Sequence, residues 1–280
     1  MKDVNIDKVL NNNVVVAKDK GKEIIVMGRG IAFQKKSGDL INKEKIEKVF
    51  TLSSKAMNDK FQELVAEVPM EYMVISEKII NYFKTQLGKK LNDNIYISLT
   101  DHIYTAVERY KNGIILKNAL LWDTKRLYKD EFLLGKEALR MIKDQFNIEL
   151  PEDEAAYIAF HIVNAQLNED MPIVMNITKV MQEILNIVKY HFKVEFDEES
   201  LSYYRFVTHL KFFAQRIFNG DYYNDDDSEL FDMVKKKHSA SYECTKKIQK
   251  FVEEKYNHVL TKEEMLYLMV HIERVVQKNK

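Results

Sequence analysis

The chain repeats itself, and a long-period repeat fixes architecture before any single residue is interpreted. Thr100-Asp101-His102-Ile103-Tyr104-Thr105-Ala106-Val107-Glu108-Arg109-Tyr110-Lys111-Asn112-Gly113 aligns with Val207-Thr208-His209-Leu210-Lys211-Phe212-Phe213-Ala214-Gln215-Arg216-Ile217-Phe218-Asn219-Gly220. Both stretches read histidine, arginine seven positions on, then Asn-Gly. Further along, the stretch from Phe146-Asn147 through Glu154 and Tyr157 to His161-Ile162 aligns with that from Tyr256-Asn257 through Glu264 and Tyr267 to His271-Ile272. The interval from His102 to His161 nearly equals that from His209 to His271, and one short loop insertion absorbs the difference. Four of the seven histidines recur; His191, His238 and His258 do not, and act as internal controls for chance occurrence.

Both copies read as helical. From Ala56 onward glycine and proline are scarce and apolar residues fall at three- and four-residue spacing, as in Ile95, Leu99, His102, Ile103, Ala106 and Val107. Thr261 with Glu264 forms a capping-box pattern, and Pro151 followed by Glu152, Asp153 and Glu154 is its proline-started, acidic counterpart. His161 and His271 then sit about three turns inside their helices. His102 and Arg109, like His209 and Arg216, are seven apart and share a face.

The segment 1–56 follows another pattern. Four of the eight glycines (Gly21, Gly28, Gly30, Gly38) fall there, among β-branched runs. Val14 to Val16 and Glu23 to Met27 flank a turn at Lys18-Asp19-Lys20-Gly21. Gly28-Arg29-Gly30 turns into Ile31-Ala32-Phe33, and Ser37-Gly38-Asp39 into Leu40-Ile41. This predicts a small antiparallel sheet. So short a segment without disulfide or metal buries little apolar surface, so a second copy is expected to complete its core in a homodimer. Phe61 to Val68, before Pro69, reads as a linker helix, and Asn164 to Pro172 as a second boundary. The expected organisation is a β module at 1–56, a linker at 57–69, and helical domains at 70–168 and 169–280.

Charge follows the same division. Lys plus Arg and Asp plus Glu both number 43, yet the segment 1–56 holds twelve basic against seven acidic side chains, a net of +5, which leaves −5 for the remainder. With 46% apolar and 31% charged residues the chain can build cores with solvated faces. One cysteine, Cys244, excludes an internal disulfide and a multi-thiolate zinc site. The start, Met1-Lys2-Asp3-Val4, lacks the apolar core of a signal peptide, and no unbroken apolar run is long enough to span a bilayer, so the cytoplasm is expected, with no membrane insertion.

Paired histidines serve several chemistries. Neither repeat has His-Glu-x-x-His or His-x-His spacing, which speaks against zinc, and no metal or cofactor is expected. Nucleophilic hydrolysis would need a partner Ser or Cys in both copies, and Cys244 has no counterpart in the first. The remaining use is as phosphate acceptor, since a neutral imidazole nitrogen is nucleophilic near pH 7 and an adjacent arginine can hold the phosphate. Arg109 and Arg216 are placed for that role; the plainer alternative is a solvated face or a pair with Glu108 or Asp101. Phosphate brings close to two negative charges, so each repeat reads as a switch.

An RNA-binding sheet needs cations for phosphates, planes for unstacked bases and amides for base edges. Lys8, Lys35 and Lys36 supply the cations, Arg29 and Phe33 the planes, and Asn11, Asn12, Asn13 and Gln34 the amides. The one helical candidate here, Lys43 to Phe50, is too short for a DNA recognition helix.

At these residues the sequence resembles the BglG/LicT/SacY family of transcriptional antiterminators over essentially its whole length. Lys8 to Val14 and Val26 to Asp39 look like the two signature stretches of the co-antiterminator RNA-binding domain, and the repeats look like the paired regulation domains of the sugar phosphotransferase system. The resemblance implies a dimeric N-terminal domain that clamps a leader-RNA hairpin and prevents an overlapping terminator from forming. It places Asn13, Gly28, Arg29, Phe33 and Gln34 at the RNA, with Lys8 on a phosphate. It implies phosphorylation of His102 and His161, inhibitory, through a sugar-specific permease, and of His209 and His271, activating, by HPr. A non-enzymatic regulator, built as a small antiparallel sheet plus two all-α helical bundles, is therefore expected. The competing readings are a phosphotransfer-regulated DNA-binding activator and, more remotely, a metal-dependent enzyme.

Overall fold

The computed structural model describes residues 4–19, 21–50, 55–219 and 228–277, with the side chains of 55–58 and 228 left aside. Lys20 of the predicted turn and Gly220 of the second Asn-Gly lie outside the described residues. Among the described residues a four-stranded antiparallel sheet is followed by helices and the turns that join them.

The strands β1 (Ile6–Asn11), β2 (Val14–Asp19), β3 (Lys22–Met27) and β4 (Lys48–Phe50) are neighbours in chain order. In β2 and β3, the register runs without interruption from Val14 opposite Met27 to Asp19 opposite Lys22, so each strand keeps its apolar residues on fixed faces. The β1–β2 pairing is irregular between Ile6 and Lys8 and again between Val9 and Asn11. The sequence reading is corrected at two places. Ile31 to Phe33 is not a strand but part of a turn that folds residues 29–34 back on the sheet. Lys43 to Phe50 is not one helical piece: Lys43–Lys45 makes a single 3-10 turn capped by Asn42, and the chain then enters β4.

Alternation gives the sheet two apolar faces. Val15, Ala17, Ile24 and Val26 pack beneath Ile31, Ala32 and Ile41 of the returning loop. Val14, Ile25 and Met27 join the helical core that includes Phe61 and Val65. Those two residues belong to helix α1 (Lys55–Glu67), which starts earlier than the predicted linker helix. Asn11 fixes the contact by donating from Nδ2 to the Val65 carbonyl at 2.7 Å. The second apolar face thus packs against α1 and the helical core of the same chain.

Two compact units divide the molecule: residues 1–119 with 130–168, and residues 120–129 with 169–280. The first holds the sheet, α1, α2 (Met70–Leu87), α3 (Ile95–Lys111), α5 (Lys129–Phe146) and α6 (Glu152–Leu167). Ile95, Leu99, Ile103, Ala106 and Val107 form the buried stripe of α3, as their spacing requires, against Ile158 and Ile162 of α6. Gly135 in α5 is where that helix meets α6: a Cβ there would sit 2.3 Å from the Ala155 carbonyl oxygen. The second unit holds α4 (Leu121–Leu127), α7 (Met171–Phe192), α8 (Leu201–Asn219), α9 (Ser228–Lys237), α10 (Ser239–Tyr256) and α11 (Lys262–Gln277). Among the described residues no helix is long and apolar enough to cross a membrane.

Candidate functional site

Two constellations stand out, and helix pairing builds the first of them twice. In the first unit α3 carries His102 and α6 carries His161, and their ring centroids are 4.9 Å apart. In the second unit α8 carries His209 and α11 carries His271, at 3.9 Å. The structure therefore unites each pair of histidines that the sequence holds far apart on separate helices.

Around these rings the two copies differ. Glu154, with its side chain 4% exposed, lies with Oε2 3.0 Å from His102 Nε2 and Oε1 3.3 Å from Arg109 Nη2. The His102 contact is close but off the line of a good hydrogen bond, so it acts as a charge contact. Burial pushes the Glu154 carboxyl up, but His102 and Arg109 together outweigh it and hold the group below its ordinary value. Arg109 pairs with Glu154 and not with Glu108, which binds Lys111 at 2.8 Å. Burial, with the charge of His102 second, holds His161 well below the ordinary imidazole range, and its Nδ1 lies 3.3 Å from Ser98 Oγ.

In the second copy the equivalent carboxylate has other partners. Glu264 closes the predicted capping box, accepting from the Thr261 amide at 3.1 Å while its own amide donates to Thr261 Oγ1 at 3.2 Å. His258 Nε2 sits 3.4 Å from Glu264 Oε2, and Arg216 Nε is 3.9 Å from Oε1. His209 Nδ1 instead meets the hydroxyl of Tyr267. Burial lowers the His209 pKa, helped by the nearby charges of Arg274 and Arg205. Burial, then His209 and Arg274, brings His271 down to about 4, so its ring is neutral at pH 7. Arg205 takes, in the repeat, the place that Ser98 has in the first copy.

The residues that sequence reasoning missed are Glu154, Glu264, Tyr267 and Ser98. The first three had a signal, since Glu and Tyr keep their places in the repeat; their partners only a fold could supply.

The second constellation is the loop after β3. Gly28 donates its amide to the Asn13 carbonyl at 2.9 Å, Gly30 to Asn13 Oδ1 at 2.8 Å, and Ala32 to the Asn12 carbonyl at 3.1 Å. The side-chain oxygen of Asn13 is thus engaged in holding the turn. Gly28 is obligatory, because a Cβ would lie 1.7 Å from the Lys45 carbonyl oxygen. Gly30 and Gln34 have positive φ, 63° and 58°, which bends the loop outward. Phe33 stands on it 60% exposed, beside exposed Arg29 and Gln34. An aromatic ring so placed does no work in the core. The loop brings together Asn13, Gly28, Arg29, Phe33 and Gln34; Lys8 is exposed on β1, apart from these bonds. Among the described residues no group of acidic, histidine or cysteine side chains could hold a metal ion.

A basic sheet with an aromatic loop, followed by two domains that each bring two histidine rings together, defines an RNA-binding transcription regulator of modular build. Residues 4–59 match the CAT RNA binding domain, and residues 77–165 and 182–275 each match the PRD domain. The chain is 63% identical over 274 residues to transcription antiterminator LicT of Bacillus subtilis (strain 168), covering 98% of this chain and 99% of that protein. It is 47% identical over 271 residues to the beta-glucoside operon antiterminator of Dickeya chrysanthemi, with 96% of each covered. The crystal structure of GlcT CAT-PRDI superposes with a TM-score of 0.50 at 36% identity, over 58% of this chain and 98% of that one. The chain belongs to the BglG/LicT family of transcriptional antiterminators. Its sheet is the RNA-binding module, and its two helical domains place it under the sugar phosphotransferase system.

Proposed function

We propose that this protein binds a hairpin in a leader transcript, prevents the overlapping terminator and lets transcription run into a β-glucoside utilisation operon, under histidine phosphorylation. The observation that carries this reading is the loop that exposes Arg29, Phe33 and Gln34 in the same chain as two closely approaching histidine pairs. Arg29 and Phe33 stack on unpaired bases, Asn13 and Gln34 meet base edges or backbone, Gly28 keeps the loop's backbone close, and Lys8 neutralises a phosphate. Two copies act as a homodimer on the hairpin, in the cytoplasm, and the protein is a regulator without catalytic activity of its own.

His102 and His161 receive phosphate from the sugar-specific permease, and His209 and His271 from HPr. The surroundings support opposite effects. A phosphoryl group at the first pair enters beside the buried Glu154 carboxylate and competes with it for Arg109, so it loosens the α3–α6 contact. At the second pair it enters among the charges of Arg205 and Arg274, which favour it. Arg109 and Arg216 are the phosphate-stabilising candidates.

The direct experiment compares binding of the leader hairpin, and of a duplex of the same sequence, by the full chain and by Arg29→Ala across a salt series. Hairpin-selective, salt-sensitive binding that Arg29→Ala weakens is expected. Equal affinity for the duplex would favour a DNA-binding activator instead.

A further inference from the structure

The repeat places His102 and His209 at equivalent positions, yet the structure closes a different ring nitrogen in each. In the first copy, Nε2 of His102 faces Glu154 Oε2 at 3.0 Å. That carboxylate is buried and tied on its other oxygen to Arg109, so it cannot swing aside without breaking a second contact. A phosphoryl group on Nε2 would share the space of this oxygen and repel its charge. Among the described residues Nδ1 of His102 has no hydrogen-bond partner. In the second copy the Glu264 carboxylate is held away by Thr261 and His258, and the obstruction is the Tyr267 hydroxyl on Nδ1 of His209. Here Nε2 has no hydrogen-bond partner among the described residues.

We propose that the two domains take phosphate on opposite ring nitrogens, Nδ1 at His102 and Nε2 at His209. This rests on the phosphorylation reading above and assigns its atoms. In the reacting form each ring carries its proton on the closed nitrogen, which in the first case lies 3.0 Å from Glu154 Oε2, off the line of a hydrogen bond, and in the second meets Tyr267 Oη. The lone pair of the open nitrogen attacks the phosphorus of a phosphohistidine on the donor protein. The donor ring, protonated on its other nitrogen, takes back the electron pair of the breaking P–N bond and leaves as neutral imidazole, while the acceptor ring keeps its own proton and carries the positive charge, so no oxidant or further reactant is required. Glu154 and Tyr267 are positioning residues: they choose the nitrogen and take no part in the transfer. One consequence is that the two phosphorylated domains differ in chemistry as well as in sign, since the phosphate projects from opposite sides of equivalent rings.

The test uses the full chain phosphorylated with charged HPr or with the phosphorylated permease domain, followed by digestion and isomer-resolved analysis of the phosphohistidine peptides. The peptide with His102 is expected to carry the Nδ1 isomer and the peptide with His209 the Nε2 isomer. Chains that keep a single acceptor, through His161→Ala, His209→Ala and His271→Ala or through His102→Ala, His161→Ala and His271→Ala, should give the same two isomers. Tyr267→Phe removes the hydroxyl and should raise the Nδ1 isomer at His209 about tenfold, the partition change for one ordinary hydrogen bond. A purely structural role of Tyr267 would change the amount of phosphate and leave the isomer ratio alone. The same isomer at both residues, or phosphate confined to His161 and His271, overturns the proposal and leaves the regulatory reading intact. Failure of all four histidines to take phosphate from either donor overturns both.

Discussion

Glu154 Oε2 lies 3.0 Å from His102 Nε2, while its counterpart Glu264 is held by Thr261 and His258. One substitution in the repeat prepares this difference: Ile148 of the first copy is His258 in the second. A buried histidine beside the capping box gives Glu264 a partner that Glu154 lacks.

Glu154→Gln removes the charge facing His102 and Arg109. It should lower stability by about 1–3 kcal/mol at neutral pH, the usual range for a buried polar group that loses its partner. The folded carboxyl titrates below its ordinary value of 4.5, so its contribution is present above pH 4.5 and is lost as pH falls through the folded value. Denaturant melts of parent and variant should therefore converge in acid. A gap that persists undiminished at low pH would contradict the pairing.

His271 acts in the same sense, in a higher pH window. Its folded pKa of about 4 lies below the ordinary 6.5, so the folded chain resists a proton that the unfolded chain accepts. Stability is complete above 6.5 and falls as pH drops towards 4, by up to about 3 kcal/mol from this residue. His271→Asn should flatten the pH dependence of unfolding in that window. An unchanged slope would place the ring in water.

Thr261→Ala removes the capping hydroxyl from the helix that carries His271. A loss of about 1 kcal/mol is expected, read by chemical denaturation. The Glu264 carboxylate keeps its bond from the Thr261 amide, which the substitution leaves in place, so the initial rate of labelling at His209 by HPr should equal the parent's; a slower rate would show that the hydroxyl also holds Glu264 away from the ring.

Phe33→Ala separates binding from folding. Because the ring is 60% exposed, the melting temperature should stay within a degree or so, while hairpin affinity falls by about 1–3 kcal/mol, the value of one stacked base. Gly28→Ala should do the reverse of this separation, lowering stability and affinity together, since its Cβ would collide with the Lys45 carbonyl. If Phe33→Ala bound the hairpin as the parent does, the stacking role would be withdrawn.

The order of modules, the helical character of everything after the sheet and the four histidines worth attention were legible in the chain. They rest on local periodicity, capping chemistry and a repeat, all of which survive without knowledge of the fold. Where local signals conflicted, reading by pattern failed. Ile31–Phe33 is β-branched and aromatic enough to suggest a strand, yet two of its residues bury onto the sheet and the third turns out. Lys43 to Phe50 looks helical, yet Val49 and Phe50 find unpaired backbone on β3. Tertiary hydrogen bonding outweighed propensity in both cases.

The histidines show the same division between sequence and fold. Spacing alone determines that His102 and Arg109 share a face and that His161 lies in a second helix, because a helix has a fixed period. Which carboxylate or hydroxyl meets which ring nitrogen depends on how two helices, distant from each other along the chain, approach and rotate against each other. That rotation is set by packing across the whole core, so only the tertiary structure decides it.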